Sequence, residues 1–210
     1  ADHGVSAVAM APPYYFPEGQ AELLEYIEHL VSELPLPLFL YNMPSHTKVF
    51  FDPQTVRQIA EMDGVMGIKD SSANMIYFRR LQHILRDRPD FSLLIGPEEL
   101  LAETLLLGGH GGVSGGANLW PRLYVDLYNA AVAKDLNTVA ALHARVMQIS
   151  GTIYGVGQYW SSILKGIKCA LSLMGICRDF LAEPFHTFRQ AERAKIEEYL
   201  MQMGELPPSR

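Results

Sequence analysis

Short apolar runs rich in Val, Ile and Leu recur along the chain at Val5 to Ala11, Leu36 to Tyr41, Val65 to Ile68, Ser92 to Ile95 and Gly112 to Ser114. Each reads as a buried strand. Between them the period changes to that of a helix. Ala21 to Leu34 places Leu23, Leu24, Ile27, Leu30 and Val31 on one face, and Pro53 to Met62 follows Asp52, a residue type that caps helix starts. Strands buried on both faces and separated by helical crossovers predict an α/β protein with a parallel sheet. That sheet is either a (β/α)8 TIM barrel or an open doubly wound sheet. No G-x-G-x-x-G follows the first strand, which weakens the dinucleotide-binding form of the open sheet.

Beyond Trp120 the pattern is purely helical, with helices expected near Arg122 to Ala133, Leu136 to Ser150, Tyr159 to Met174 and Phe185 to Met201. The first would close the sheet's last crossover and the others would form a C-terminal helical extension. The division expected is therefore 1–133 for the barrel part carrying the active site and 134–210 for the extension. Five strands do not close a barrel that takes eight, and alone they would leave two unpaired edges. The expectation is that strands 4 to 8 are present. The first three strand-helix units would then lie in about 80 to 100 residues outside this sequence. A free-standing five-strand α/β domain is the alternative.

Composition narrows the class. With 49% apolar and 19% charged residues the chain fits a soluble globular protein. A net charge of -6 with no Lys/Arg stripe argues against a nucleic-acid partner. No apolar stretch is long enough to span a bilayer and the first residues lack the basic start of a secretory signal, so a cytoplasmic enzyme with no membrane partner is expected. Cys169 and Cys177 sit too far apart for an easy disulfide and read as reduced core thiols. The seven His are scattered without ligand spacing, so no metal site is expected.

The residues capable of chemistry fall at the C-terminal ends of the expected strands: Tyr14 and Tyr15, Tyr41, Lys69, Gly96 with Glu98, and Ser114. A barrel builds its active site there, and an open sheet uses the same side. Lys69 ends Val65-Met-Gly-Ile-Lys69. An amine in a barrel mouth is desolvated, which favours the neutral form able to attack a ketone. The plainer reading is a surface lysine past a strand end. Tyr41 ends the preceding strand, where a phenol can shuttle protons for that amine; alternatively it is a core tyrosine with its hydroxyl at the rim.

Pro13-Tyr-Tyr, Leu40-Tyr-Asn-Met-Pro44, Gly67-Ile-Lys-Asp-Ser-Ser72 and Gly108-Gly-His-Gly-Gly-Val-Ser114, in this order and spacing, resemble the N-acetylneuraminate lyase and dihydrodipicolinate synthase family of class I pyruvate-dependent aldolases. The resemblance runs from residue 1 to about residue 202. It implies a (β/α)8 barrel, a homotetramer, an imine between Lys69 and a 2-keto acid, and Tyr41 as proton relay. No organic cofactor or metal is implied. By the same resemblance Ser71 and the backbone at Val113 and Ser114 lie near the substrate carboxylate, which N–H groups and hydroxyls suit.

Two departures bear on the branch. An arginine usually stands five residues after the tyrosine in the synthases and grips the second substrate's carboxylate; here that position is His46, which lacks the two-pronged donor set. Gly96-Pro-Glu98-Glu99 resembles the Gly-x-Asp-Glu segment with which neuraminate-type lyases hold sugar hydroxyls, although acidic residues at a helix start are also favoured by the dipole. Leu164-Lys-Gly-Ile-Lys168 resembles the lyase branch's pocket-lining helix, but the preferred reading of Lys165 and Lys168 is ordinary solvated helix charges. The leading expectation is a Schiff-base lyase or aldolase taking a 2-keto acid and an aldehyde or sugar-acid substrate, by aldol cleavage, condensation or keto-deoxy sugar-acid dehydration. Synthase-type condensation and a non-catalytic 2-keto-acid-binding protein are the alternatives.

Overall fold

The computed structural model describes residues 3–207. The chain separates into two compact units, Ala1–Ser114 and Gly115–Arg210. The first contains β1 (Val8–Met10), α1 (Gln20–Glu33), β2 (Leu38–Asn42), α2 (Pro44–Thr47), α3 (Pro53–Ile59), β3 (Val65–Asp70), α4 (Met75–Ile84), β4 (Ser92–Ile95), α5 (Leu101–Leu106) and β5 (Gly111–Gly112).

All neighbouring strands are parallel and lie in the order β1-β2-β3-β4-β5, the order of the sequence. A doubly wound sheet reverses its strand order at a switch point, and this sheet has no reversal. The period of two divides its residues. Leu38, Leu40, Ile68, Leu93 and Ile95 are almost wholly buried, while Phe39, Tyr41, Lys69 and Leu94 are half-buried. Leu23 and Ile27 of α1, Val56 and Ile59 of α3, Phe78 and Leu81 of α4 and Leu101 of α5 are among the helix residues buried with them. Each such side chain contributes about 1.5–3 kcal/mol by leaving water.

Three local expectations are corrected. β1 covers only Val8–Met10 of the run Val5 to Ala11. The last strand lies at Gly111–Gly112 rather than Gly112 to Ser114, although the Val113 N–H still donates to the Ile95 carbonyl at 2.9 Å. Asp52 does occupy the N-cap of α3, but its side chain makes no cap hydrogen bond; Pro53 opens the helix, and the Asp52 N–H donates to Gln20 Oε1 at 2.9 Å.

The second unit contains α6 (Pro121–Val132), α7 (Leu136–Thr152), α8 (Ser161–Leu173) and α9 (Gln190–Gln202). Its core joins Ile149 and Ile153 to Ile167 and Ala170 of α8 and to Ile196 and Leu200 of α9. Gly166 permits the close approach of α8 to the end of α7, since a Cβ there would lie 2.2 Å from the Ile153 carbonyl oxygen. Both cysteines are free; Cys169 is in this core, but Cys177 is exposed, because it follows the helix end rather than lying on its apolar face. Among the described residues no helix is long and apolar enough to cross a membrane.

Candidate active site

β2 and β3 end together. Tyr41 pairs with Lys69 in the ladder, and each is half-buried on the same face of the sheet. Lys69 Nζ lies 4.4 Å from the centroid of the Tyr41 ring, a cation-π contact. Gly67, two residues before Lys69, pairs with Phe39, two residues before Tyr41. A Cβ at position 67 would fall 2.6 Å from Phe39 Cε1 and 2.4 Å from the Ser92 carbonyl oxygen. The glycine therefore gives the Phe39 ring its room, and that ring forms a floor on the face from which the amine and phenol project.

One residue farther along, the pairing falls on the opposite face. Asn42 and Asp70 are fully buried, and Asn42 Nδ2 donates to Asp70 Oδ1 at 2.8 Å. Ser72 adds its N–H to Oδ1 and its hydroxyl to Oδ2 of Asp70, both at 3.0 Å. Asn42 Oδ1 accepts from the Phe51 N–H at 3.3 Å, and Tyr77 donates its hydroxyl to the Phe51 carbonyl at 2.8 Å. Burial pushes the Asp70 carboxyl above its ordinary value of 3.8, ahead of the lowering by the Asn42 and Ser72 hydrogen bonds. Burial, with the charges of Asp70 and Asp52 behind it, also raises the Tyr77 phenol strongly.

The remaining candidates follow the strand ends. Ser71 donates its N–H to the Asn42 carbonyl at 2.8 Å, and its hydroxyl lies against Gly96, where a Cβ would be 1.9 Å from Ser71 Oγ. The Gly96 N–H ties back to the Asp70 carbonyl at 2.7 Å. Glu98 is 4% exposed and starts a 3-10 turn, Glu98–Leu100, so it does sit at a helix entry. The Val113 N–H is engaged by Ile95. Ser114, half-buried, supplies the N–H and hydroxyl next along the chain. His46 lies apart from this group in its contacts: it is exposed on α2 and its Nδ1 bonds Ser45 Oγ at 2.9 Å. Tyr14 and Tyr15, after β1, are exposed.

The glycine-rich stretch is a structural turn. Gly108 has φ +89°, Gly109 packs where a Cβ would meet Thr104 Cγ2 at 2.3 Å, and the His110 ring accepts the Leu93 N–H through Nδ1 at 3.0 Å. Lys165 and Lys168, in the second unit, are half-buried on α8. No group of three or more His, Cys, Asp or Glu among the described residues is arranged to hold a metal ion.

Asn42, Asp70, Ser72, Tyr77 and Phe39 escaped the sequence reading. A signal existed for the first two. Asn42 and Asp70 are separated by 28 positions, the separation of Tyr41 and Lys69, and a polar residue ending each of two apolar strands at the same offset has a partner beside it.

A 4-hydroxy-tetrahydrodipicolinate synthase of Archaeoglobus fulgidus is 30% identical over 198 residues, 94% of this chain and 66% of that protein. The structure of a dihydrodipicolinate synthase from Bacteroides thetaiotaomicron matches with a TM-score of 0.92 and 61% identity over 96% of this chain and 67% of its own. YagE of Escherichia coli, a putative 2-dehydro-3-deoxy-D-gluconate aldolase, is 32% identical over 148 residues, 70% of this chain and 49% of that protein. Its structure in complex with pyruvate matches with a TM-score of 0.89 and 27% identity over 98% of this chain and 68% of its own. The chain thus spans about two thirds of the length of the Archaeoglobus synthase, and the model of the dihydrodipicolinate synthetase family matches residues 1–203. The chain belongs to that family.

Proposed function

We propose that this chain carries the reactive part of a class I lyase or aldolase that forms a Schiff base between Lys69 and pyruvate or a related 2-keto acid. The observation behind this reading is the in-register pair Tyr41 and Lys69, with Nζ 4.4 Å from the ring, at the C-terminal end of adjacent parallel strands. The Lys69 amine adds to the keto carbon, and the carbinolamine loses water to give an imine. Loss of a C3 proton converts the imine to an enamine, whose carbon adds to an aldehyde; in reverse, the enamine is the leaving fragment of aldol cleavage. Tyr41 gives and takes the protons of carbinolamine collapse and of the aldehyde oxygen. The Ser71 and Ser114 hydroxyls and the Ser114 N–H receive the substrate carboxylate, with Val113 beside them. Glu98 accepts from substrate hydroxyls, and by the family resemblance His46, exposed on α2, meets the far end of the second substrate.

The sheet is read as strands 4 to 8 of a (β/α)8 barrel, with residues 1–133 in the barrel and 134–210 in a C-terminal helical extension. The unreversed strand order supports this reading. The enzyme is proposed to act in the cytoplasm as a homotetramer, following the family resemblance. Borohydride trapping in the presence of pyruvate tests the chemistry: the reduced adduct is expected on the peptide containing Lys69, and an active protein with Lys69 unlabelled refutes it.

Synthase-type condensation is the second reading, favoured by the 61% identity to the Bacteroides thetaiotaomicron synthase. Steady-state assays with pyruvate and a panel of aldehydes separate the two. Preference for hydroxylated aldehydes supports a sugar-acid aldolase, and preference for a carboxylate-bearing aldehyde supports the synthase.

A further inference from the structure

We propose that Asn42 and Asp70 are positioning residues for the Tyr41–Lys69 pair, holding the two strand ends in the register and rotation that keep phenol and amine on one substrate carbon. The inference rests on the Schiff-base reading of Lys69. A strand residue and its successor share one backbone, so fixing residue 42 fixes the plane from which Tyr41 projects, and fixing residue 70 does the same for Lys69. The ladder alone ends at this point: β2 stops at Asn42 and β3 at Asp70. Frayed strand ends rotate, and beyond the main-chain bonds that flank this point a side-chain clamp on the face behind the site resists that rotation.

Every side-chain oxygen of the clamp has a donor. Asp70 Oδ1 receives Asn42 Nδ2 and the Ser72 N–H, and Oδ2 receives the Ser72 hydroxyl. Asn42 Oδ1 takes the Phe51 N–H, which ties the segment between α2 and α3 to the same point. Main-chain bonds flank it, from Ser71 N–H to the Asn42 carbonyl at 2.8 Å and from Gly96 N–H to the Asp70 carbonyl at 2.7 Å. Neither Asn42 nor Asp70 is solvent-accessible, so no water competes for these bonds. A misplacement of about 1 Å at a reacting group costs on the order of 10²-fold in rate, which is the scale on which such a clamp acts.

The test compares Asp70→Ala with Asp70→Asn in the complete enzyme, with Lys69→Ala alongside. Asparagine keeps one oxygen for Asn42 and the Ser72 N–H, and its amide can donate to the Ser72 hydroxyl, so the clamp survives without the charge. Expected are a kcat loss of about 10- to 100-fold in Asp70→Ala with pyruvate KM changed far less, and Asp70→Asn within about threefold of the parent. Borohydride trapping by Asp70→Ala should slow by the same factor as kcat. A folded Asp70→Ala with parental kcat overturns the proposal, as does an Asp70→Asn as impaired as the alanine variant. Should Asp70→Ala fail to fold, Ser72→Ala serves, with a smaller kcat loss expected at unchanged melting temperature; parental kcat there overturns the proposal. Activity surviving in Lys69→Ala would instead overturn the Schiff-base reading itself.

Discussion

Lys69 Nζ rests 4.4 Å above the Tyr41 ring, and the two residues are direct partners across β2 and β3. The ring face and the phenol oxygen have separable roles in this contact. The face meets the amine, and in the proposed mechanism the oxygen carries the protons. Tyr41→Phe keeps the first and deletes the second. It is expected to lower kcat by about 10²- to 10⁴-fold. Reductive trapping of pyruvate on Lys69, though slower, should still go to completion. Single-turnover trapping and steady-state rates measured on the same preparation check this, and a Tyr41→Phe enzyme with parental kcat removes Tyr41 from proton transfer.

Tyr41 and Lys69 were legible in the sequence because each ends a continuous apolar run, and a run's last residue projects at the sheet's C-terminal edge whatever the details of packing. The parallel sheet was legible for a related reason, since the change of period between Leu36 to Tyr41 and Pro53 to Met62 marks the crossover. The clamp was not seen, because Asn42 and Asp70 look like ordinary strand-end polar residues until the ladder pairs them. The alternation implies a crossover between β3 and β4 but gives α4 no bounds: Tyr77, Phe78 and Leu81 form its buried face, and its start is fixed by Asn74 Oδ1 accepting the Tyr77 N–H at 3.1 Å. β5 was misplaced by one residue because two glycines have no side chains to carry a strand pattern; their pairing is dictated by Leu94 and Ile95 opposite.

Gly96 offers a steric probe of the proposed carboxylate subsite. A methyl group there would collide with Ser71 Oγ at 1.9 Å and approach Ser71 Cβ at 2.9 Å, so Gly96→Ala must turn the Ser71 hydroxyl away or shift the end of β3. A hydrogen bond to a charged group contributes about 1.5–3 kcal/mol, so losing it should raise pyruvate KM by roughly tenfold or more. Ser71→Ala is expected to raise KM similarly without the steric disturbance. Parental KM in Ser71→Ala would place Ser71 outside the substrate pocket.

Tyr77 supports the site from behind. Its buried hydroxyl donates to the Phe51 carbonyl at 2.8 Å, and Phe51 in turn gives its N–H to Asn42. Tyr77→Phe leaves that carbonyl unsatisfied, at a cost of about 1–3 kcal/mol. For a chain of this size each kcal/mol moves the melting temperature by about 2–4 °C. Thermal unfolding should therefore show a drop of several degrees, and an unchanged melting temperature would mean that the carbonyl finds another donor.

The charge of Asp70 makes stability depend on pH in a direction opposite to that of a salt-bridged carboxylate. Burial raises its folded-state value above the ordinary 3.8, outweighing the hydrogen bonds from Asn42 and Ser72. The native chain therefore holds this proton more tightly than the unfolded chain does. Below 3.8 both states are protonated, and the stabilisation from the native state's preference for the proton is fully present. As pH rises through the folded value the proton leaves the native state too and that stabilisation is lost, after which the contribution no longer changes with pH. Asp70→Asn has no proton to release. Its unfolding free energy relative to the parent should grow as pH rises above the ordinary 3.8 and level off once the native carboxyl has also lost its proton. Urea denaturation of both proteins across that range measures the difference, and a difference that stays constant, or that moves the other way, would show that the buried carboxyl titrates no higher in the native chain than in the unfolded one.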